Sequence, residues 1–262
     1  MKILEQITVY PIKSLGGINL EKATITSGGS LQHDREFALV DAEGKFISGK
    51  KFAQIHLIKP RYLLDETLVE LSIKGESFKK VFHLEKEKAA IEKFFSDFLE
   101  RQVFFQQNKN SGFPDDLSAS GPTVVSSASL KEVATWFPEI SADELYRRFR
   151  PNLLLTNTPA FWEDNLFGEL DEEISFQIGE IKFLGINPCA RCVVPTKNPE
   201  SGEAIPLFQK HFSEMRKATL PKWSTLSRFD HYYRFCVNTK IPLTESGKTL
   251  FAQTAVSLNP KQ

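Results

Sequence analysis

Cysteine is scarce in this chain: Cys189, Cys192 and Cys236 are the three in 262 residues. An odd, small number at this length does not make a disulfide framework and suits a reducing compartment. Surplus charge is also missing, since 33 Lys plus Arg balance 33 Asp plus Glu. Basic residues occur only in short clusters such as Arg147-Arg148 and Gly49-Lys50-Lys51. Without excess cations to displace counterions from phosphates, nucleic acid is not an expected partner. Long apolar runs are absent too. Met1 to Tyr10 alternates and carries Glu5, unlike a signal peptide, and no later window approaches the roughly 20 apolar residues that span a bilayer. The expectation is a cytoplasmic protein without a membrane span. The chain has no G-x-G-x-x-G, G-x-S-x-G or H-E-x-x-H. Gly44 to Lys51 approaches a P-loop, but Lys51 stands where a Ser or Thr would hold magnesium, and the segment reads as a hairpin. His33, His56, His83, His211 and His231 lack a matched acid or nucleophile and are expected to be structural or exposed.

What is present fits a mainly β protein. Ile3 to Val9, Ile18 to Thr26, Phe37 to Asp41 and Lys45 to Ser48 are alternating or β-branched and separated by turn residues. Gln54 to Leu64, Leu68 to Ile73 and Val81 to Leu84 continue the pattern, and many short strands with little helix suggest a barrel or strongly bent sheet. Ala90, Ile91, Phe94, Phe95, Phe98 and Leu99 then recur at helical steps within Lys86 to Leu99, and Val103 to Gln107 reads as a strand. Asn108 to Pro122 is rich in Asn, Ser, Gly, Pro and Asp and reads as a domain boundary or active-site loop. Beyond it, Ser129 to Phe137 and Leu207 to Met215 read as helices. Ser141 caps another, with Glu144 in the capping-box position. Ile174 to Ile178 and Ile181 to Ile186 flank a Gly179-Glu180 hairpin turn, and Tyr232 to Val237 and Ala252 to Leu258 are late strands.

Several segments can carry chemistry. Cys189-Ala190-Arg191-Cys192 is a single C-x-x-C. Half a zinc site needs a second ligand pair, and a thioredoxin-like dithiol needs a helix, which Val193-Val194-Pro195 opposes. One reactive or metal-binding thiolate beside a packing cysteine remains, against a buried structural pair. Whether Arg191 turns toward sulfur is open. The turn Tyr10 to Gly17 places Lys13, Ser14 and two glycines where backbone N–H groups could wrap an anion, or it is a plain strand connection. Asp34-Arg35 precedes a strand. Arg150-Pro151-Asn152 follows Arg147 and Arg148 and leads into the apolar Leu153-Leu154-Leu155, where a charge needs a partner. Ser126 and Ser127 open a helix and can cap it or hold an anion.

Taken in order, Tyr10-Pro11-Ile12-Lys13-Ser14, Asp34-Arg35 with Val40-Asp41, Arg148 to Leu153, Cys189 to Cys192 and Pro199-Glu200-Ser201-Gly202 resemble the MOSC-domain family. The form resembled carries the MOSC N-terminal β-barrel domain in front, as in the mitochondrial amidoxime-reducing component and its bacterial relatives. The resemblance implies an N-terminal β-barrel-like domain over residues 1–107 and a β-barrel MOSC domain with peripheral helices over 108–262. It implies a pyranopterin molybdenum cofactor between them, with Cys192 as metal ligand and catalytic residue. Lys13, Ser14, Arg35, Arg150 and Asn152 would hold the pterin and its phosphate, joined by Ser126, Ser127 and Thr196. A soft thiolate suits a metal already bound by sulfur. The implied activity is reduction of N-hydroxylated or N-oxide small molecules. Three cysteines cannot supply an iron–sulfur cluster as well, so a separate donor protein would bring the electrons. A cofactor or sulfur carrier without turnover is the alternative, and a cofactor-free fold with a structural Cys189–Cys192 pair the third. Two departures stand out: Val193 to Asn198 replaces the Thr-Thr-Val-Asp of many relatives, and no Gly-Asp turn is evident around Leu250 to Val256.

Overall fold

The computed structural model describes residues 1–258. Its first half contains β1 (Lys2–Val9), β2 (Ile18–Leu20), β3 (Lys22–Thr24), β4 (Phe37–Val40), β5 (Ile58–Leu63), β6 (Leu68–Ile73), β7 (Lys79–His83), α1 (Lys88–Leu99) and β8 (Phe104–Gln107). The second half contains β9 (Val124–Ser126), α2 (Ser127–Trp136), α3 (Ala142–Phe149), β10 (Leu153–Thr156), β11 (Ile174–Ile178) and β12 (Ile181–Ala190). It ends with α4 (Phe208–Ala218), β13 (Arg234–Lys240), β14 (Thr249–Phe251) and β15 (Thr254–Leu258).

Seven strands close a barrel in the order β10-β9-β13-β12-β11-β15-β1, because β1 also pairs with β10. The first strand of the chain is thus a stave of a barrel otherwise built from the second half. Its alternation explains why: Leu4, Ile7 and Val9 are fully buried with Leu153, Leu155, Phe176, Phe183 and Val256 in the barrel core. A bulge between Leu4 and Gln6 keeps the apolar side chains inward as the strand bends. The β11–β12 hairpin turns at Gly179, whose φ of +59° suits glycine. Gly185 lies against the Leu166 carbonyl so closely that a Cβ there would sit 1.7 Å from the oxygen.

A second core fills the N-terminal body. Ile91, Phe95 and Leu99 of α1, four residues apart, pack on Phe37, Phe82 and Phe105 from the β4–β8 pair and the β5–β6–β7 meander. Pro60 is tolerated because β5 is an edge strand. Three strand readings are corrected, the first being Lys45 to Ser48, which forms only an isolated bridge between Phe46 and Val40. Residues 53–57 form a 3₁₀ turn before β5, which the three-residue spacing of buried Ile55 and Ile58 fits. Ile18 to Thr26 breaks in two, β2 joining β1 and β3 pairing with β14. A third core lies under α2, α3 and α4, where Phe149, Phe208, Phe212 and Phe235 pack together. Ser126 and Ser141 cap α2 and α3, accepting from the Ser129 and Glu144 amides. The Glu144 carboxylate does not close a capping box; it takes Arg148 instead. Among the described residues no helix is long and apolar enough to cross a membrane.

Candidate functional site

A cleft of about 1800 Å³ runs between the N-terminal body and the barrel, and Lys13, Arg35, Arg150, Cys189 and Cys192 all line it. The three cations are placed by three separate turns. Asp34 clips the first to the second: its carboxylate accepts from the Tyr10 amide at 3.0 Å and from Arg35 at 2.5 Å. Ser14, Arg35 and Arg150 have φ of +76°, +50° and +53°, a left-handed conformation that costs a non-glycine residue about 1 kcal/mol or more and clusters at functional sites. Arg150 reaches its position by ending α3 there, with Pro151 blocking further helix.

The Tyr10 ring is the platform beneath the charges. The Arg150 guanidinium lies 4.1 Å and that of Arg35 5.8 Å from its centroid, while the Tyr10 hydroxyl donates to the Pro151 carbonyl at 3.0 Å. Lys13 is buried and donates to the Phe113 carbonyl at 2.8 Å and to Asp115 at 2.6 Å. Burial lowers the affinity of Lys13 and Arg150 for their protons, and Asp115 opposes this at both. The Arg150 amide donates to the Tyr146 carbonyl, but among the described residues no oxygen accepts a hydrogen bond from its guanidinium. A partly desolvated, unpaired guanidinium on an aromatic face is chemically able to receive an anion.

At another wall, β12 ends in the cysteine pair. Cys189 and Cys192 are both free and half-buried. Arg191 turns toward the first sulfur: it donates to Cys189 Sγ at 3.0 Å and to the Phe149 carbonyl at 2.5 Å. Cys192 also lines the cleft, and among the described residues its thiol makes no hydrogen bond. The backbone after it is held by Arg148, which is buried, bonds Glu144 and donates to the Pro195 carbonyl at 3.1 Å. The arginine cluster therefore divides its work: Arg147 pairs with Glu200 at the surface, Arg148 braces the Cys192 segment, and Arg150 enters the cleft.

The other expected site residues lie apart from this group. Asn152 is fully buried and spends its amide on the Thr123 N–H and the Thr8 carbonyl, pinning β1 to the starts of β9 and β10. It touches the site only through a 3.4 Å contact from Arg35. Ser14 lines the cleft but gives its hydroxyl to the Ile47 carbonyl. Ser127 lines the cleft beside Thr156, at the far end of β9 from Thr123. Thr196 is buried and donates to the Val193 carbonyl. Ser126 is buried as well, bonded to Ser129, whose hydroxyl donates to Glu163 at 2.9 Å.

That last contact has a pH consequence. Burial, then the neighbouring Asp164, push the Glu163 carboxyl from 4.5 up to about 7. The native state therefore binds a proton that the unfolded chain has lost, and stability falls as pH rises from about 4.5 through about 7. Glu163→Gln is expected to remove this loss and to stabilise the protein by about 2 kcal/mol at pH 8. Denaturant unfolding at pH 5 and pH 8 checks it; a difference from wild type that does not grow with pH refutes it.

Reading the sequence did not single out Asp115 or Tyr10 as members of the site. Asp115 sits in the Asn108 to Pro122 loop, and against its own desolvation Arg35 and Lys13 hold its carboxyl down at about 2. The histidine expectation fails at two positions: His33 has a matched acid, 2.8 Å from the Glu36 carboxylate, and His56 lines the cleft, where burial, then surrounding cations, lower it to about 4 and leave it neutral.

A closed mainly β barrel, an N-terminal β body and a cationic cleft lined by two free cysteines define a two-domain β protein. Residues 1–102 match the MOSC N-terminal beta barrel domain and residues 119–241 the MOSC domain. The chain belongs to the family that joins these two domains. It is 25% identical over 234 residues to a molybdenum cofactor sulfurase of Drosophila grimshawi, covering 78% of this chain and 29% of that protein. It is also 24% identical over 238 residues to mitochondrial amidoxime reducing component 2 of Bos taurus, covering 76% of this chain and 67% of that protein. A sulfurase of Arabidopsis thaliana is 25% identical over 246 residues, 76% of this chain and 29% of that protein. The chain thus spans under a third of the length of the sulfurases it matches.

Proposed function

We propose that this chain holds a molybdenum cofactor in the cleft and acts as an oxidoreductase on small N-hydroxylated or N-oxide compounds. The observation that carries this reading is the donor set. Among the described residues no group of three or more His, Cys, Asp or Glu could hold a metal ion by itself. The same cleft nonetheless offers a free, half-buried thiol in Cys192 and an unpaired guanidinium in Arg150. A metal that brings its own sulfur ligands and an anionic tail suits one soft thiolate and a set of cations. Cys192 would be the metal ligand, and Lys13, Arg35 and Arg150 would receive the phosphate.

When bound, the cofactor supplies oxygen-atom and electron transfer. The chain supplies binding, orientation and control of water. Reducing an N-hydroxyl to N–H consumes two electrons and two protons and releases water, and the reading assigns the electrons to a separate donor protein. The cations would hold the anionic end of the cofactor, and its metal would be held by Cys192. Cys189, bonded by Arg191, is held as the second sulfur beside it.

The sulfurase relatives support a second reading, a cofactor or sulfur carrier without turnover, because in them a segment of this length is a part of a longer protein. One experiment separates the two. Protein made in a cofactor-competent host is analysed for molybdenum and assayed for benzamidoxime reduction with a chemical electron donor. Near-stoichiometric metal with turnover is expected. Metal without turnover on a broad panel favours the carrier, and absence of molybdenum overturns both.

A further inference from the structure

The Asp115 carboxylate occupies the place where an anionic ligand would meet the cations. It accepts from Lys13 at 2.6 Å and lies 3.9 Å from Arg35 Nε. Its side chain is nonetheless 74% exposed, whereas that of Lys13 is 9% exposed. The backbone around it is anchored independently. The Phe113 amide donates to the Arg35 carbonyl and its ring packs on Phe46. Asp116 accepts from Ser118, Asn187 and Asn238. Asp115 therefore has solvent to turn into and no other side-chain partner to lose, so it can leave by a rotamer change while the loop stays in place.

We propose that Asp115 is a self-ligand of this pocket, a carboxylate that fills the Lys13–Arg35 site until a phosphate-type dianion displaces it. The inference rests on the cofactor-binding reading above, since the terminal phosphate expected of the cofactor is such a dianion. The charges favour the exchange. Lys13, Arg35 and Arg150 face Asp34 and Asp115, which leaves one net positive charge; with Asp115 turned out there are two. A free monoanion brings no more charge than the carboxylate it replaces, and it competes with a tethered group whose effective concentration is millimolar or higher. A dianion neutralises the site and can also engage Arg150, which Asp115 leaves unpaired. Weak monoanions are thereby kept off the cations. The ligand's own affinity is reduced by the fraction of molecules in which Asp115 is seated.

The test uses the full chain made in a host unable to synthesise the cofactor, titrated with inorganic phosphate at pH 8 and followed by phosphorus NMR at constant ionic strength. Asp115→Asn is expected to tighten phosphate binding about three- to tenfold over wild type. Asp143→Asn removes an equal charge from an exposed position on the cleft wall and is expected to change binding by less than about twofold, since a distant exposed charge is screened. Unchanged or weaker binding in Asp115→Asn, or an equal gain in both variants, overturns the self-ligand while leaving the cofactor reading in place. Absence of phosphate binding in wild type and Asp115→Asn alike overturns the anion pocket itself, and the inference with it.

Discussion

Cys192→Ser is expected to leave a folded protein that retains less than about one tenth of the wild-type molybdenum, because a hydroxyl is a hard, weakly acidic substitute for a thiolate on a sulfur-ligated metal. The fold should tolerate the change. The Cys192 thiol is half-buried and accepts or donates no hydrogen bond among the described residues. The backbone beyond it is held by Arg148 on the Pro195 carbonyl rather than by the sulfur. Cys189→Ser is the matched control. That sulfur accepts from Arg191, and a hydroxyl accepts the same bond, so metal content should stay within about twofold of wild type. Metal analysis of both variants, with denaturation curves to verify folding, decides the matter. Equal loss in both, or full retention in Cys192→Ser, removes Cys192 as the ligand. Activity must follow the same order, since the cofactor carries the redox chemistry.

The parts of the molecule that announce themselves in the sequence are those set by local physics. The Gly179 hairpin is legible because Ile174, Phe176 and Ile178 alternate on one side of the turn and Ile181 and Phe183 on the other. The Ser141 cap and the α1 stripe are legible for the same reason. Lys13, Arg35, Arg150 and Cys192 were reached through the ordered motifs, and the cleft collects all four. What stayed hidden depends on partners far apart in the chain. Nothing near Lys2 to Val9 says that it pairs with β10 and β15, whose partner residues are more than a hundred positions away. Asn152 reads like a ligand-binding amide beside an arginine, yet its donors and acceptors are consumed by Thr8 and Thr123. Tyr10 reads as a strand-end aromatic, and only the meeting of two turns under it makes it a platform for two guanidinium groups.

The same long-range logic predicts the largest stability effect. Arg216 of α4 is 1% exposed and pairs with Asp164 in the 3₁₀ turn Trp162–Leu166, where Ser224 also donates to the carboxylate. Its guanidinium is stacked 4.1 Å from the Phe161 ring centroid and 5.2 Å from that of Phe229, while Nε and one terminal nitrogen have no hydrogen-bond partner. Arg216→Met keeps most of the packed volume but leaves Asp164 as a buried, uncompensated charge beside Glu163. Breaking such a pair from one side is expected to cost about 3–5 kcal/mol, a fall of roughly 10 °C in Tm for a chain of this size. Removing both charges is a different matter. Arg216→Met with Asp164→Leu withdraws the stranded carboxylate, and the double variant should recover at least half of the loss. Linear-extrapolation denaturation of the two single variants and the double variant completes the cycle; additive losses would show that packing rather than charge holds α4 in place. Function should follow stability here. α4 packs through Phe208 and Phe212 on Phe149, the last residue of the helix whose end sets Arg150 over Tyr10. On the proposed function, a loosened α4 is therefore expected to weaken anion binding in the cleft without touching a cleft residue.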